Sequence, residues 1–452
     1  MKRSIWITLL IIAAALVIGT SQYPKLYVAT GYGAKCMASG IFVAGRDAEN
    51  VQTNDLDYSL VKYTRSKIDY VEKSVTTSLF GLAKQKAIFR DGLGCNLCFD
   101  QSSTSDSPTS SLQKETAGSA WKFEWPDGES KSYYKFPEID TVGLNNAVEH
   151  AFDEPGMKIK RTAAVVVIYK GKLVNEKYWK EQSISAETRL WGWSMNKSIV
   201  NAMVGVLVKR GKLSVNASAP IEEWLQDKRR DITLNDLLQM SSGLKWNEDY
   251  GDISDVTTML YREPNCYKYA IGFPFEKNHG SEWKYSSGTA NILSGIVRKT
   301  LNDDKKYHEF PYAEIFSKIG MSSMRMESDE EGNFVGSSYG YATARDWAKI
   351  GQLYLQDGVW KGDSILPKDW VIYSTTPAKA SNGTYGAQFW LNRSKGLPNV
   401  PEDMYACQGH RGQRIFIIPS KQIVVVRLGF GEVNFDHNQF LSEILKSFGG
   451  SK

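Results

Sequence analysis

The sequence predicts an α+β domain: an antiparallel sheet flanked by helices, with a helical lobe inserted into it and an N-terminal extension and membrane segment ahead of it. Two observations predict the sheet. One strand hairpin reads out of Ala163–Tyr169 and Leu173–Trp179 and a second out of Arg414–Ile418 and Gln422–Leu428, while the chain between them has helical periodicity. Strand pairs at both ends with helices between imply one sheet closed by the two termini of the domain. The third observation is length: 452 residues exceed the ~250–300 that one core accommodates. The chain therefore divides into a targeting segment at 1–22, an extension at 23–150 and the main domain at 151–452.

Lys2 and Arg3 precede an apolar run from Ile5 to Gly19, the pattern of a signal peptide or signal anchor. The run is shorter than the ~20 residues of a comfortable spanning helix, yet no small-x-small cleavage site follows it, so an uncleaved anchor is preferred to a secreted form. Positive-inside logic places Lys2 and Arg3 in the cytoplasm and the body outside, periplasmic or extracellular. The extension carries an apolar patch at Ile41-Phe42-Val43, an apolar-periodic stretch near Val75–Leu82 and a Ser/Thr-rich tract from Gln101 to Ser119 that reads as a surface loop. Export permits disulfides among the five cysteines, and a bridge from Cys36 to Cys95 or Cys98 is expected. Cys95-x-x-Cys98 is half of a zinc or redox signature without a second pair or a nearby His, so neither metal nor cofactor is expected.

The texture changes near Pro155-Gly156, where the main domain begins. After the first hairpin, Ile199, Met203, Val206 and Leu207 share one face of a helix that opens near Lys197 and stops at Gly211. Thr233 is an N-cap ahead of Leu234, Leu237, Leu238 and Met240, with Gly243 as the close. Further helices are expected over Ala290–Thr300 and Thr343–Leu355, and a last one through Phe440, Leu441, Ile444 and Leu445.

Composition excludes several functions. With 42% hydrophobic and 23% charged residues the chain is ordinary globular protein rather than disordered, and a mean hydropathy of -0.36 excludes a polytopic membrane protein. The net charge of +5 arises from 55 basic and 50 acidic residues interspersed along the chain, with no Lys/Arg run, so no nucleic-acid partner is expected.

Two nucleophile motifs compete. Gly336-Ser337-Ser338-Tyr339-Gly340 matches a G-x-S-x-G elbow, but Asp329 to Asn333 before it are acidic and turn-like where an elbow needs a buried strand. It reads as a loop leading into the Thr343 helix. Ser194-Met195-Asn196-Lys197 opens a strongly apolar helix directly after a hairpin. Positions i and i+3 share a helix face, so the Lys197 amine reaches the Ser194 hydroxyl, and the helix N-terminus favours an oxyanion. A buried lysine with a depressed pKa is able to take the serine proton. An isolated S-x-x-K is weak, since an N-cap serine followed by a solvated lysine has the same spacing. Two further motifs give it weight: Trp283-Lys284-Tyr285-Ser286-Ser287-Gly288 in the helical lobe, and Gly409-His410-Arg411-Gly412-Gln413 at the second hairpin.

Together with Ser194 and Lys197, these resemble the three motifs of the penicillin-recognising serine hydrolases, which include class C β-lactamases, DD-peptidases, related esterases and 6-aminohexanoate-dimer hydrolases. The stretches Gly192–Ser198, Met240–Leu244, Tyr285–Gly288 and Thr343–Asp346 are most similar to the last group. The resemblance covers roughly residues 150–452 and reaches Cys36–Asp47 and Gly92–Cys95, as in longer relatives with an extension. It implies a β-lactamase/transpeptidase-like fold, Ser194 as the acylated nucleophile, Lys197 as its proton partner and Tyr285 as the proton shuttle. It also implies an oxyanion hole from the backbone N–H groups of Ser194 and Gln413, and substrate contacts from His410, Arg411, Gly412 and Ser287. The third residue of motif two is Ser287 where asparagine is common, and the third motif reads His410-Arg411-Gly412 in place of Lys-Thr-Gly, which weakens recognition of a β-lactam or D-Ala-D-Ala carboxylate. Arg411 or Arg414 remains available to pair a carboxylate. In the loop Asn247–Asp252, Tyr250 is a substrate-contact candidate, whereas Glu248 and Asp249 read as a solvated acidic rim in preference to a receptor for a substrate ammonium.

The expected protein is a metal-free serine hydrolase cleaving a small amide or ester. A D-amino-acid peptidase or β-lactamase-type activity is the alternative within enzymes, and a non-catalytic binding or sensor protein is the alternative outside them.

Overall fold

A computed structural model describes residues 23–99, 124–128, 133–157, 159–431 and 435–449. The apolar run Ile5–Gly19 and the Gln101–Ser119 tract lie outside the described residues, and among those described no helix is long and apolar enough to cross a membrane. The extension begins with a long helix, α1 (residues 23–42), followed by α2 (Ala48–Asn54), whose first turn is capped by the Asp47 carboxylate. A four-stranded antiparallel meander follows in sequence order: β1 (Thr64–Asp69), β2 (Ser74–Leu79), β3 (Leu82–Arg90) and β4 (Gly94–Cys98). The Val75–Leu82 stretch is thus a hairpin, turned by Phe80 and Gly81 at φ 52° and 78°, both left-handed as a tight two-residue turn requires.

α3 (Thr141–His150) packs against the final helix α12 (His437–Lys446) and against the strand Lys172–Tyr178, so it joins the main body although it precedes residue 151. The hairpin β5 (Thr162–Tyr169) and β6 (Lys172–Tyr178) forms one side of a six-stranded antiparallel sheet. The other side comes from the far end of the chain: β12 (Trp390–Leu391), β13 (Tyr405–Gly409), β14 (Gln413–Ile418) and β15 (Ile423–Gly429), in the order β12-β13-β14-β15-β5-β6. Val424–Val426 pair with Ile168–Val166, joining the two termini of the domain. β5 and β15 are buried along their whole length, which is why both read as continuous apolar runs rather than alternating ones.

Between these strands lies the helical lobe. It opens with β7 (Leu190–Trp191) and α4 (Asn196–Lys209), continues through α5 (Leu234–Leu238), α6 (Asp255–Arg262) and α7 (Cys266–Ile271), and centres on α8 (Ser287–Leu301). α8 touches α4, α5, α6 and α7, and is buried from Ser287 to Val297. Thr233 caps α5 in a reciprocal box with Asp236, and that helix ends a turn before Gly243. After α9 (Asp304–Pro311), β8 (Arg325–Met326) and β9 (Gly340–Ala342) join β7 in a small sheet of order β7-β9-β8. α10 (Ala344–Leu355) then lies on β5, β14 and β15, followed by the short hairpin β10 (Val359–Trp360) and β11 (Asp363–Ser364) and by α11 (Trp370–Thr375).

The extension shares one hydrophobic core with the main domain. Lys35 on α1 pairs with Glu327 at 2.7 Å, both side chains 1% or less exposed. The other Glu327 oxygen accepts from Ser39 Oγ (2.9 Å) and from the Cys95 backbone N–H (2.7 Å). One carboxylate thus ties α1, β4 and the main domain together. Glu327→Ala leaves Lys35 a buried cation without its counter-ion and is expected to cost about 3–5 kcal/mol, read as a lower urea midpoint.

The expected disulfide is not formed: all five cysteines are free. Cys36 and Cys95 are both buried, on α1 and β4. Cys95 and Cys98 are three residues apart on one strand, which puts them on opposite faces and about 10 Å apart, beyond disulfide reach. Among the described residues no cluster of His, Cys, Asp and Glu has the geometry of a metal site.

Candidate active site

The small sheet presents Ser194. Trp191 in β7 pairs with Tyr341 in β9, the Gly192 N–H donates to the Gly340 carbonyl (2.9 Å), and one tight turn over Trp193–Met195 leads into α4. Trp193 has φ 50°, a left-handed conformation uncommon for a bulky residue and often found beside functional groups. Its ring is held by stacking on Trp191 at 3.6 Å between centroids and on Tyr32 of α1 at 5.9 Å. Ser194 is half-buried between the buried Trp193 and Met195. The end of β13 closes on this turn because Gly409 has no side chain: a Cβ there would fall 2.2 Å from the Gly192 carbonyl oxygen.

Lys197, one turn into α4, is 1% exposed. Its Nζ lies 2.9 Å from Ser194 Oγ, 3.0 Å from Ser287 Oγ and 3.0 Å from the Ser337 carbonyl oxygen. Burial lowers its pKa to about 8, opposed by the Glu248 carboxylate. The Tyr285 ring lies 4.8 Å from the same Nζ. Burial, with Glu248 adding to it, pushes the Tyr285 hydroxyl well above its ordinary pKa, against a hydrogen bond with Ser194 and the charge of Arg414. Tyr285 is therefore a neutral phenol poised to donate, while Lys197 is the group pushed towards its basic form.

Glu248 belongs to this constellation, which corrects its reading as a solvated rim. Oε1 accepts from Ser287 Oγ (2.5 Å), and Oε2 from the Ser287 N–H (2.9 Å) and Trp246 Nε1 (2.5 Å). Asp249 does stay exposed and accepts from the Gly251 N–H within its own loop. Tyr250 Oη lies 3.4 Å from Ser287 Oγ, and its ring stacks on His410 at 5.7 Å. Ser287 is fully buried, with Lys197, Glu248 and Tyr250 around its hydroxyl, so it sits behind the pocket surface rather than on it as a substrate contact.

The third motif is placed unevenly. His410 is exposed and meets Trp193 edge-on at 5.3 Å. Arg411 does not face the pocket: with φ 63° it turns towards the extension, its guanidinium 4.4 Å from the Tyr58 ring and its Nη1 donating to the Asn54 carbonyl (3.2 Å). This corrects its assignment as a substrate contact, and the reason is that a long-range partner competes for the side chain. Gly412, at φ 82°, completes the bend, and its carbonyl accepts from Arg427, so it shapes the strand entry rather than offering a surface. Gln413 opens β14 opposite Gly409, with its side chain clamped on Gly429. Arg414 Nη1 donates to the Gly409 and Gln413 carbonyls. In the competing motif, Ser338 is buried and its hydroxyl lies 3.0 Å from that of Ser337 in a loop ahead of β9.

The family model described as Beta-lactamase matches residues 149–437. The chain belongs to the beta-lactamase family. Among curated relatives, the 6-aminohexanoate-dimer hydrolase of Paenarthrobacter ureafaciens is 21% identical over 296 residues, covering 58% of this chain and 71% of that protein. A solved family VIII carboxylesterase superposes with a TM-score of 0.54 at 14% identity, over 70% of this chain and 99% of its own. A penicillin-binding protein of Bacillus halodurans superposes at 0.52 and 16% identity, over 67% and 98%. These structures share the fold of this beta-lactamase-family serine hydrolase. Sequence reasoning missed Glu248, the Ser337 carbonyl and the reach of Tyr32 from the extension. For Glu248 the available signal was Trp246 two residues earlier, an aromatic that marks a packed rather than a solvated loop.

Proposed function

We propose that this beta-lactamase-family chain hydrolyses a small amide or ester through an acyl-enzyme at Ser194. The observation that carries the reading is the hydrogen-bond arithmetic at Lys197. A neutral amine has two N–H donors and one lone pair; the Ser287 hydroxyl, itself donating to Glu248, and the Ser337 carbonyl take the two donors, which aims the lone pair at Ser194. Lys197 then accepts the Ser194 proton as Oγ bonds to the substrate carbonyl carbon, and the backbone N–H groups of Ser194 and Gln413 receive the oxyanion. The proton passes through Tyr285 to the leaving nitrogen or oxygen as its bond to carbon breaks. Water, deprotonated by the same pair, then releases the acid and restores Ser194.

The named relatives favour an amidase of the 6-aminohexanoate-dimer hydrolase type or a carboxylesterase. A D-amino-acid peptidase or β-lactamase-type activity is the second reading; the turn of Arg411 away from the pocket weighs against it by leaving Arg414, whose Nη1 donates to the Gly409 and Gln413 carbonyls, as the remaining substitute for the missing motif lysine. The complete donor–acceptor set around Lys197 weighs against a silent sensor. We further propose an extracytoplasmic location with residues 5–19 as anchor, a reading that rests on Lys2, Arg3 and the apolar run alone.

Short p-nitrophenyl esters are expected to give a stoichiometric burst. Because Lys197 must be neutral to accept a proton, kcat/KM should rise with pH and level off above an apparent pKa of about 8. A profile flat from pH 6 to 9 would remove Lys197 as the base.

A further inference from the structure

We propose that the N-terminal extension builds the acyl pocket of this hydrolase, and that the pocket takes a short, uncharged, mainly hydrocarbon acyl chain; this rests on Ser194 being the nucleophile. A cavity of about 140 Å³ lies between α1 and the catalytic lobe. Val28, Tyr32 and Tyr58 line it from the extension, and Trp193, Tyr261 and His410 from the main domain. Trp193 immediately precedes Ser194, and Tyr250, also in the wall, lies 3.4 Å from the hydroxyl that Lys197 bonds, so the cavity lies one residue from Ser194, which is itself outside the wall.

The side of the nucleophile on which the cavity lies decides which part of the substrate it receives. Protonation of the leaving group runs through Tyr285, which is not in the cavity wall and packs instead on Tyr385 and Trp390. The leaving group departs there, and the cavity beside Trp193 and His410 is left for the acyl portion. Its chemistry is apolar and aromatic. The Lys25–Asp252 ion pair (2.9 Å) joins the two opposite charges of its partly exposed wall, so the wall itself holds no unpaired Lys, Arg, Asp or Glu, and the Arg411 guanidinium stands behind the Tyr58 ring, outside the wall. The hydroxyls of Tyr32 and Tyr261, both wall residues, are buried without a hydrogen-bond partner. The volume is below the ~300 Å³ at which drug-sized sites begin, which suits a short chain.

The test is a series of p-nitrophenyl esters from acetate to decanoate, with fluorophosphonate labelling of Ser194 measured on every sample. Wild-type kcat/KM is expected to rise roughly tenfold from acetate to butyrate, the worth of two buried methylenes, and to fall again by decanoate. Ala29→Phe, which fills the cavity from α1, should bring the butyrate-to-acetate ratio to about one, and Leu60→Trp, at an exposed position in the cavity wall, should lower it in the same direction even if the first variant does not fold. A wild-type rate that falls steadily from acetate, or a ratio unchanged in a folded variant, overturns the pocket. Labelled Ser194 with no chain preference sinks the pocket alone, whereas absence of labelling sinks the nucleophile assignment itself.

Discussion

Lys197→Met is expected to slow acylation by ~10²–10⁴-fold, the usual worth of general acid–base assistance, without lowering the melting temperature at pH 7. The two parts have one cause. The amine is buried at 1% exposure and its folded pKa is depressed to about 8, so at neutral pH the fold holds a desolvated cation that an unfolded chain would hydrate. For a lysine whose folded pKa is lowered, that penalty is full below pH 8 and relieved as pH rises from about 8 towards the ordinary lysine value. A methionine of similar length carries no such penalty, so stability is not lost when activity is, the trade expected of a functional group held in an unfavourable setting. Thermal melts and single-turnover acylation on the same sample check both halves.

Glu248→Gln is expected to cut the plateau of kcat/KM on the order of 10–100-fold, the worth of one charge-assisted hydrogen bond, and to move the acid limb of the pH profile to lower pH. The shift follows from sign. The Glu248 charge holds the Lys197 pKa up against burial, so removing it lets that pKa fall further and Lys197 becomes neutral at lower pH. The loss of rate follows from geometry, because an amide cannot accept in the same way from both the Ser287 hydroxyl and its backbone N–H. Glu248 is thus a positioning residue. A lower plateau with an unmoved acid limb would make its role merely structural.

The parts of this molecule legible in its sequence are those fixed by local pattern. The two hairpins, α4 and the Thr233 cap are set by periodicity and capping within a few residues, and the closure of the sheet follows from having strands at both ends. What was not legible depends on distant partners. Glu248 reads as a rim because its hydrogen bonds exist only when its loop meets Ser287, 39 positions on. Arg411 reads as a pocket cation until Tyr58 and Asn54 claim it across the interface with the extension. The cysteines suggested a bridge, and all five are free. The extension itself left a trace: Gly31, Gly33 and Gly40 in α1 are small where Tyr261, Thr64 and Val51 approach, the mark of a helix packed on several sides.

Peptide mapping after fluorophosphonate treatment decides between Ser194, the proposed nucleophile, and Ser338. One adduct per chain is expected by intact mass, located on the segment containing Trp193 to Lys197, abolished in Ser194→Ala and retained in Ser338→Ala. An adduct on Ser338, or full esterase activity in Ser194→Ala, would contradict the proposed nucleophile.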